Sequence, residues 1–341
     1  MYMPAPLPRT LAAAVRDVTH KKLEVRMSAV HDLGRLAGGD ERKSALAALV
    51  RALEHDEAAA VRGEAAVALA DAQAHECLDA LAAALDDSHT RVRQMAMLAL
   101  GEAARPSDKK ARRIIERALD DGSAEVRFQA LIALHRIAGD DAEQAVLDKT
   151  HDDDAHIRHV ALRLAEERHL EAGRELPEAL RLRARGALRD DNPSVQLAAA
   201  ILLARAGDDA GRQVIADAVD SGKGVDPQDE QAAIQLAGEL RIEAARGGLM
   251  RRAWSMVPTR RPRFKWQARI ALAALGDARA RQSILRGLGA WSRDARTLAV
   301  AAAGRAGLSE ARPLIEAMSR DAARADPDAV REALEQLGER E

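Results

Sequence analysis

A short motif that returns along the chain limits the fold more than any other feature. It reads aspartate, then valine or isoleucine followed by arginine, then an alanine four residues after the β-branched residue. Copies so short and so close together cannot form separate cores, so each must bury its apolar face against its neighbours. The clearest copies are "DEAAAVRGEAAVALA" (56–70), "DSHTRVRQMAMLALG" (87–101), "DGSAEVRFQALIALH" (121–135) and "DDAHIRHVALRLAEE" (153–167).

Fainter copies extend the repeat over almost the whole chain. Between successive copies lies a second segment with apolar residues at helical spacing, such as "KSALAALVRAL" or "RRIIERAL". Within one copy, Val61, Ala65 and Leu69 fall on one face of a helix that the preceding aspartate can cap. We therefore predict an all-α chain of about ten two-helix units. The fainter copies cover 21–34, 191–204, 226–238, 263–276, 292–304 and 326–338.

Composition agrees with close-packed helices and gives no global attraction to a polyanion. Hydrophobic residues make up 47% of the chain but aromatic residues only 2%, and the net charge is −2. The single cysteine, Cys77, excludes an internal disulfide. The first residues lack the basic lead and apolar run of a signal peptide, and no later segment has the length of a membrane span. We expect a cytoplasmic protein with no membrane insertion.

The motif resembles the HEAT repeat, in the bacterial form often called the phycobilisome-lyase-like HEAT repeat, and the resemblance covers nearly the whole chain. It implies a right-handed α-solenoid in which the helices with the Val-Arg pair line the concave surface. It also implies a ladder in which arginines contact aspartates of adjacent turns, a structural role between neighbouring repeats. The ladder arginines are Arg62, Arg93, Arg127 and Arg158.

Later copies depart from the motif at the arginine position. Repeat six has Gln196, repeat seven has Asp229-Glu230 and repeat eight has Gln267-Ala268. We therefore expect the ladder to stop after Arg158.

The connection "DSGKGVDPQDEQ" (220–231) is the richest in glycine and proline punctuation, which predicts a bend or loosening near Gly222. We place repeats one to six in residues 1–222 and the divergent repeats seven to ten in 223–341, continuous with the first part.

Enzymatic readings of such a scaffold find little support in the residues. HEAT-like deoxyhypusine hydroxylases need several His-Glu pairs for iron, and only His75-Glu76 has that dipeptide. Nothing marks a tetrapyrrole site of a bilin lyase, and repeat resemblance alone does not carry an activity. His151, His156 and His159 lie near three aspartates at a helix start, which we interpret as capping. We expect no catalytic residue, no metal and no cofactor.

A basic aromatic patch is the first candidate binding site. Residues 246–269 contain eight cationic residues, and no acidic residue lies between Glu243 and Asp277. The tryptophans could fill an inter-helix gap around the prolines, or the patch could bind an acidic protein or a nucleic-acid backbone. The predicted site residues are Arg251, Arg252, Trp254, Arg260, Arg261, Arg263, Phe264, Lys265 and Trp266.

A groove on the motif helices is the second candidate site. Positions two and six after each β-branched residue are more apolar than a solvated face favours, which suits an amphipathic helix or extended peptide. Alternatively, neighbouring repeats bury these positions. The predicted groove residues are Val67, Gln94, Leu98, Phe128, Ile132, His159, Arg163, Leu197 and Ile201.

Together these features predict a non-enzymatic scaffold or adaptor that binds a protein or peptide. The alternative is a HEAT-like protein that binds nucleic acid through residues 246–269, with or without DNA-glycosylase-like base chemistry.

Overall fold

The computed structural model describes residues 9–171, 173–254 and 264–338, and within these ranges the regular structure is helical, with no strand. This confirms the all-α prediction. In the first half the helices are α1 (Leu11–Asp17), α2 (Leu23–Leu36), α3 (Arg42–His55), α4 (Ala59–Asp71), α5 (Leu78–Ala83), α6 (Thr90–Ala103), α7 (Lys109–Ala118), α8 (Ala124–Ala138), α9 (Glu143–Lys149) and α10 (Ala155–Glu166). They continue as α11 (Glu178–Ala187), α12 (Pro193–Arg205), α13 (Arg212–Ser221), α14 (Pro227–Glu239), α15 (Arg246–Trp254), α16 (Lys265–Ala274), α17 (Ala278–Leu288), α18 (Arg293–Ala306), α19 (Arg312–Ser319) and α20 (Pro327–Gly338).

The helices form ten pairs, and the second helix of each pair carries the sequence motif. The motif helices stack on one another, as α2 does on α4, α4 on α6 and α6 on α8. The motif aspartates cap some of these helices as expected: Asp154 accepts the N–H of His156 at the start of α10, and Asp226 accepts that of Gln228 at the start of α14. In repeats two and three they do not cap the helix. Asp56 and Asp87 instead accept the backbone N–H two residues later, at Ala58 and His89, and so close the turn between the paired helices.

Small residues let neighbouring motif helices approach closely. A Cβ atom added to Gly34 would lie 3.0 Å from the Cβ of Ala68. One added to Gly238 would lie 2.6 Å from the Cα of Ala271. Close approach by glycine and alanine explains how a chain with so few aromatic residues fills its interior.

The chain groups into two compact units, Met1–Leu164 and Ala165–Glu341. Gly222 lies inside the second unit, where it ends α13 in the left-handed conformation (φ 56°). The predicted bend near Gly222 stays a prediction. Every helix of the described ranges is too short or too polar to cross a bilayer.

Candidate partner-binding surfaces

Arginines of the motif link consecutive repeats of the first unit through ion pairs with aspartates. The Arg62 Nε lies 2.7 Å from the Asp87 Oδ2, and the Arg127 Nη2 lies 2.7 Å from the Asp152 Oδ1. Arg93 contacts Asp121 in the same way, at 3.0 Å. Each aspartate lies in the turn between the paired helices of the next repeat, so every pair is a rung between adjacent repeats. The predicted ladder is thereby confirmed for Arg62, Arg93 and Arg127.

The ladder starts one repeat earlier than the sequence indicated. Arg26 Nε lies 2.8 Å from Asp56 Oδ2, and both side chains are less than a tenth exposed. Its motif is faint because His20 lies five residues before Val25, where the clear copies have aspartate, and Leu23 lies where they have alanine or threonine.

The ladder arginines also bind the turn of their own repeat. Arg62 Nη1 donates to the Asp56 carbonyl oxygen, six residues earlier, at 2.9 Å, and Arg158 reaches the Asp152 carbonyl at 3.0 Å. A single guanidinium such as that of Arg62 therefore links the turn of its own repeat to an aspartate of the next repeat. This structural role removes these arginines from the candidate binding residues.

In the second unit the same position is filled differently. Gln196 still donates to the carbonyl oxygen six residues earlier, at Asp190. Arg296 restores the arginine, with bonds to the Ala290 carbonyl (2.7 Å) and to the Arg324 carbonyl (2.6 Å). These contacts agree with the expectation that the arginine–aspartate ladder stops after Arg158, although alanine before Arg296 hid the return of an arginine at this position.

Repeat seven contains a rung of reversed polarity. Glu230, at the arginine position, accepts from Arg252 Nη1 at 2.6 Å, and both side chains are about nine-tenths buried. Arg252 Nε also donates to the Val219 carbonyl at 2.6 Å. The prediction that Arg252 contacts a partner is wrong, because its guanidinium is inside the unit and fully engaged.

The rest of the basic aromatic patch is partly neutralised. Arg251 is exposed but ion-paired with Asp220, and Arg246 contacts Glu243 at 2.8 Å. Lys265 is exposed. The predicted residues Arg260, Arg261 and Arg263 lie outside the described residues. The cations of this acid-free segment thus pair with carboxylates that lie outside it, at Glu243 and Asp220.

The aromatic residues of the patch, Trp254, Phe264 and Trp266, are half-buried and pack against the core of the second unit. The filling alternative is thus realised in part. Trp254 also lies between two cations: the guanidinium carbon of Arg269 is 4.4 Å from its ring centre, and that of Arg279 is 3.9 Å away. Burial, and then the charge of Arg279, lower the pKa of Arg269.

The groove on the motif helices of the first unit is accessible. Ile132 is 37% exposed. Phe128 is half-buried, and its ring stacks on His156 of the next repeat with 5.0 Å between ring centres. The remaining predicted groove residues of this unit are also half-exposed: Val67, Gln94, Leu98, His159 and Arg163.

Leu197 and Ile201 do not line an accessible groove, and their assignment is wrong. Both are fully buried, because α12 is covered on all sides from Leu197 to Ala204. A helix that is apolar around its whole circumference belongs to a core.

Cys77 is buried, and His75 contacts a carboxylate. Burial raises the pKa of the Cys77 thiol, which disfavours the reactive thiolate. His75 Nε2 contacts Asp108 at 3.1 Å. In the ranges that the structure covers, no three His, Cys, Asp or Glu side chains gather as metal ligands.

One exposed aromatic residue was missed by the sequence analysis. Trp291 is fully exposed in the turn between α17 and α18. The equivalent turn position, five residues before the ladder residue, holds Glu57, Ser88 and Gly122 in other repeats. Alignment of the turns, rather than of the helices, would have revealed the tryptophan.

Paired helices that stack in series, with polar rungs between neighbours, define an α-helical repeat protein of the α-solenoid class. Within that class, the HEAT-repeat family profile matches residues 46–116 and 78–166. Residues 46–166 thus resemble HEAT repeats by sequence, and the same helix pairing continues outside the matched residues.

Solved structures share the fold at low sequence identity. The Escherichia coli protein YibA is 19% identical, with a TM-score of 0.55 over 78% of this chain and 92% of its own. Yeast importin-β (Kap95p) is 13% identical, with a TM-score of 0.56 over 96% of this chain and 52% of its own. The CpcE–CpcF complex of the Nostoc phycocyanin lyase aligns at a TM-score of only 0.41 with 18% identity, over 81% of this chain and 98% of its own. No curated protein matches the sequence. These likenesses show the fold alone.

Proposed function

We propose that the protein is a non-enzymatic HEAT-repeat scaffold that binds a protein or peptide through the groove of its first unit. The proposal rests on one observation, the accessible apolar strip that Leu98 on α6 forms with Phe128 and Ile132 on α8. A face exposed only to water would favour charged side chains at these positions.

The chemistry around the strip favours an amphipathic helix as the bound element. Leu98, Phe128 and Ile132 offer apolar contacts, while His159 and Arg163 on α10 add polar groups at one end. Such an alternation suits a helix that lays its apolar face in a groove. The shared architecture gives a precedent, since yeast Kap95p was solved in a structure that concerns its binding of RanGDP.

The nucleic-acid alternative has weaker support. Arg246, Arg251 and Arg252 each pair with a carboxylate, so much of the positive charge in residues 246–269 is already compensated. We also propose a cytoplasmic location, in keeping with a single cysteine that is buried as a thiol.

The test is affinity purification from the native cell with nuclease treatment, using wild type, the Phe128→Asp/Ile132→Asp double variant and a matched control. Leu182→Asp is that control, because Leu182 is 65% exposed and lies on α11, which is not one of the groove helices. We expect a protein partner that survives nuclease, is retained by the control and is lost by the double variant.

Two results would contradict the proposal. Loss of the partner on nuclease treatment would indicate nucleic acid. A fall of several kcal/mol in the stability of the single variant Ile132→Asp would show that the strip belongs to the core.

A further inference from the structure

Two arginines beside Trp254 carry charge that no carboxylate of the described chain compensates. Arg269 lies on α16 and Arg279 on α17, and both guanidinium groups contact the same indole. Neither forms an ion pair within residues 9–171, 173–254 and 264–338. The only hydrogen bond of Arg269 there is a long one, from Nε to the Ala253 carbonyl at 3.4 Å.

The surrounding sequence supplies no missing acid. No acidic residue occurs between Glu243 and Asp277. Asp277 precedes Arg279 by two residues, but its Oδ1 accepts the Ala280 N–H at 2.8 Å and caps α17. In contrast, Arg246, Arg251 and Arg252 on the neighbouring α15 each have a carboxylate partner. Two unpaired guanidinium groups at one ring are therefore an exception in this part of the unit.

The Trp254 indole brings the Arg269 and Arg279 guanidinium groups close together, where both can bind one anion. Trp254 packs against the core and contacts both guanidinium groups, and apart from the long bond from Arg269 Nε their N–H groups have no hydrogen-bond acceptor among the described residues. Arg279 is exposed and Arg269 is half-buried, so a ligand approaching from solvent reaches both. Planar guanidinium groups donate in a fork that matches the two oxygens of a carboxylate.

We propose that Arg269 and Arg279, held by Trp254, form a second binding site that takes a carboxylate side chain of an acidic protein segment. Because Arg246 and Arg251 on α15 are already paired with Glu243 and Asp220, the site offers two cations rather than the row of cations that a continuous phosphate backbone needs. This site is separate from the groove of the first unit and does not depend on it.

The test measures binding of a fluorescein-labelled short polyglutamate peptide to the full chain by fluorescence anisotropy. We expect Arg279→Gln to weaken binding about tenfold, since one charge-assisted contact is lost. Arg286→Gln removes an exposed cation from the same helix without touching Trp254 and should change the affinity by less than about twofold. Because Arg279 is exposed, the Arg279→Gln variant should unfold at the same temperature as the wild type.

Three results would overturn the proposal. The first is that wild type does not bind polyglutamate. The second is that Arg279→Gln and Arg286→Gln weaken it equally, which would indicate general charge attraction. The third is that an oligothymidylate of equal charge binds more tightly and loses its affinity with Arg279→Gln, which would assign the site to nucleic-acid phosphate.

Discussion

The first unit joins its repeats by four arginine–aspartate rungs in succession, whereas the second unit uses a different polar tie at nearly every repeat. There, Gln196 bonds to a carbonyl, Glu230 accepts from Arg252, and Arg296 bonds to two carbonyls. The position is the same, but the side chain is neutral in repeat six and acidic in repeat seven, and the arginine of repeat nine bonds to carbonyls rather than to an aspartate. A HEAT solenoid therefore needs a polar link at this position more than it needs a given residue type.

The groove positions differ between the units as well. Phe128 and Ile132 in repeat four correspond to Gln231 and Gln235 in repeat seven, which are exposed. Repeat four thus presents apolar side chains where repeat seven presents amides, and this difference supports the assignment of the groove to the first unit.

Reversing the buried carboxylate of repeat seven should have the largest effect on stability. Glu230→Arg places a second cation beside Arg252 in a buried site, and we expect a loss of about 4 kcal/mol in the free energy of unfolding. Adding Arg252→Glu should recover part of that loss by giving the rung the polarity of the first unit. Urea unfolding followed by circular dichroism measures both.

Glu239→Arg is the matched control for this rung, because Glu239 is exposed on the same helix α14. It should change stability by less than about 0.5 kcal/mol. If Glu230→Arg lowered the free energy of unfolding as little as Glu239→Arg does, the reversed rung would not contribute to stability.

Replacing two equivalent glycines, one in each unit, by alanine should give a smaller difference in stability between the units. Gly238→Ala would bring a Cβ within 2.6 Å of the Ala271 backbone, which cannot retreat without moving α16, and we expect a loss of about 2 kcal/mol. Gly34→Ala meets only the Ala68 Cβ at 3.0 Å, and the gain in helix propensity of about 1 kcal/mol should offset the strain. Thermal unfolding of the two variants makes the comparison, and equal losses would contradict it.

The smallest expected effect is a pH-dependent one in the first unit. The hydrogen bond from Arg62 lowers the pKa of Asp87, although burial opposes it. The folded protein therefore binds fewer protons than the unfolded chain in acid. The stability from this rung is complete above the ordinary carboxylate pKa of about 4 and is lost as the pH falls through the lowered value.

Asp87→Asn should accordingly cost about 1.5 kcal/mol at neutral pH, with the difference from wild type shrinking below about pH 4. Asp86→Asn is the control, since the Asp86 side chain is 80% exposed. A difference from wild type that stays constant down to low pH would show that the Asp87 charge is not what stabilises the rung.

Helix pairs were predictable from the sequence because their signal is local. Apolar spacing and Gly-Asp punctuation lie within one repeat, so the ten units could be placed without knowing how they pack. The ladder was predictable only where an aspartate is followed five residues later by Val-Arg or Ile-Arg. Arg26 was missed because His20 replaces the aspartate, and Arg296 because Ala295 replaces the β-branched residue.

The candidate sites were harder to predict because they depend on contacts between repeats. Asp220 and Glu230 neutralise cations of α15 from more than twenty positions away, so the charge count of 246–269 overstated the basic patch. Likewise, a helical wheel of α12 cannot show that Leu197 and Ile201 are covered on both sides.

The double use of each ladder arginine has a consequence for how such chains change length. Asp87 and Asp121 close equivalent turns by accepting the N–H two residues later, and each receives the arginine of the preceding repeat. Excision of residues 88–121 would join Asp87 to the turn of Arg127, and every remaining arginine would still have both its carbonyl and its carboxylate. Whole repeats can therefore be lost or duplicated by recombination in a single step without leaving an unmatched joint.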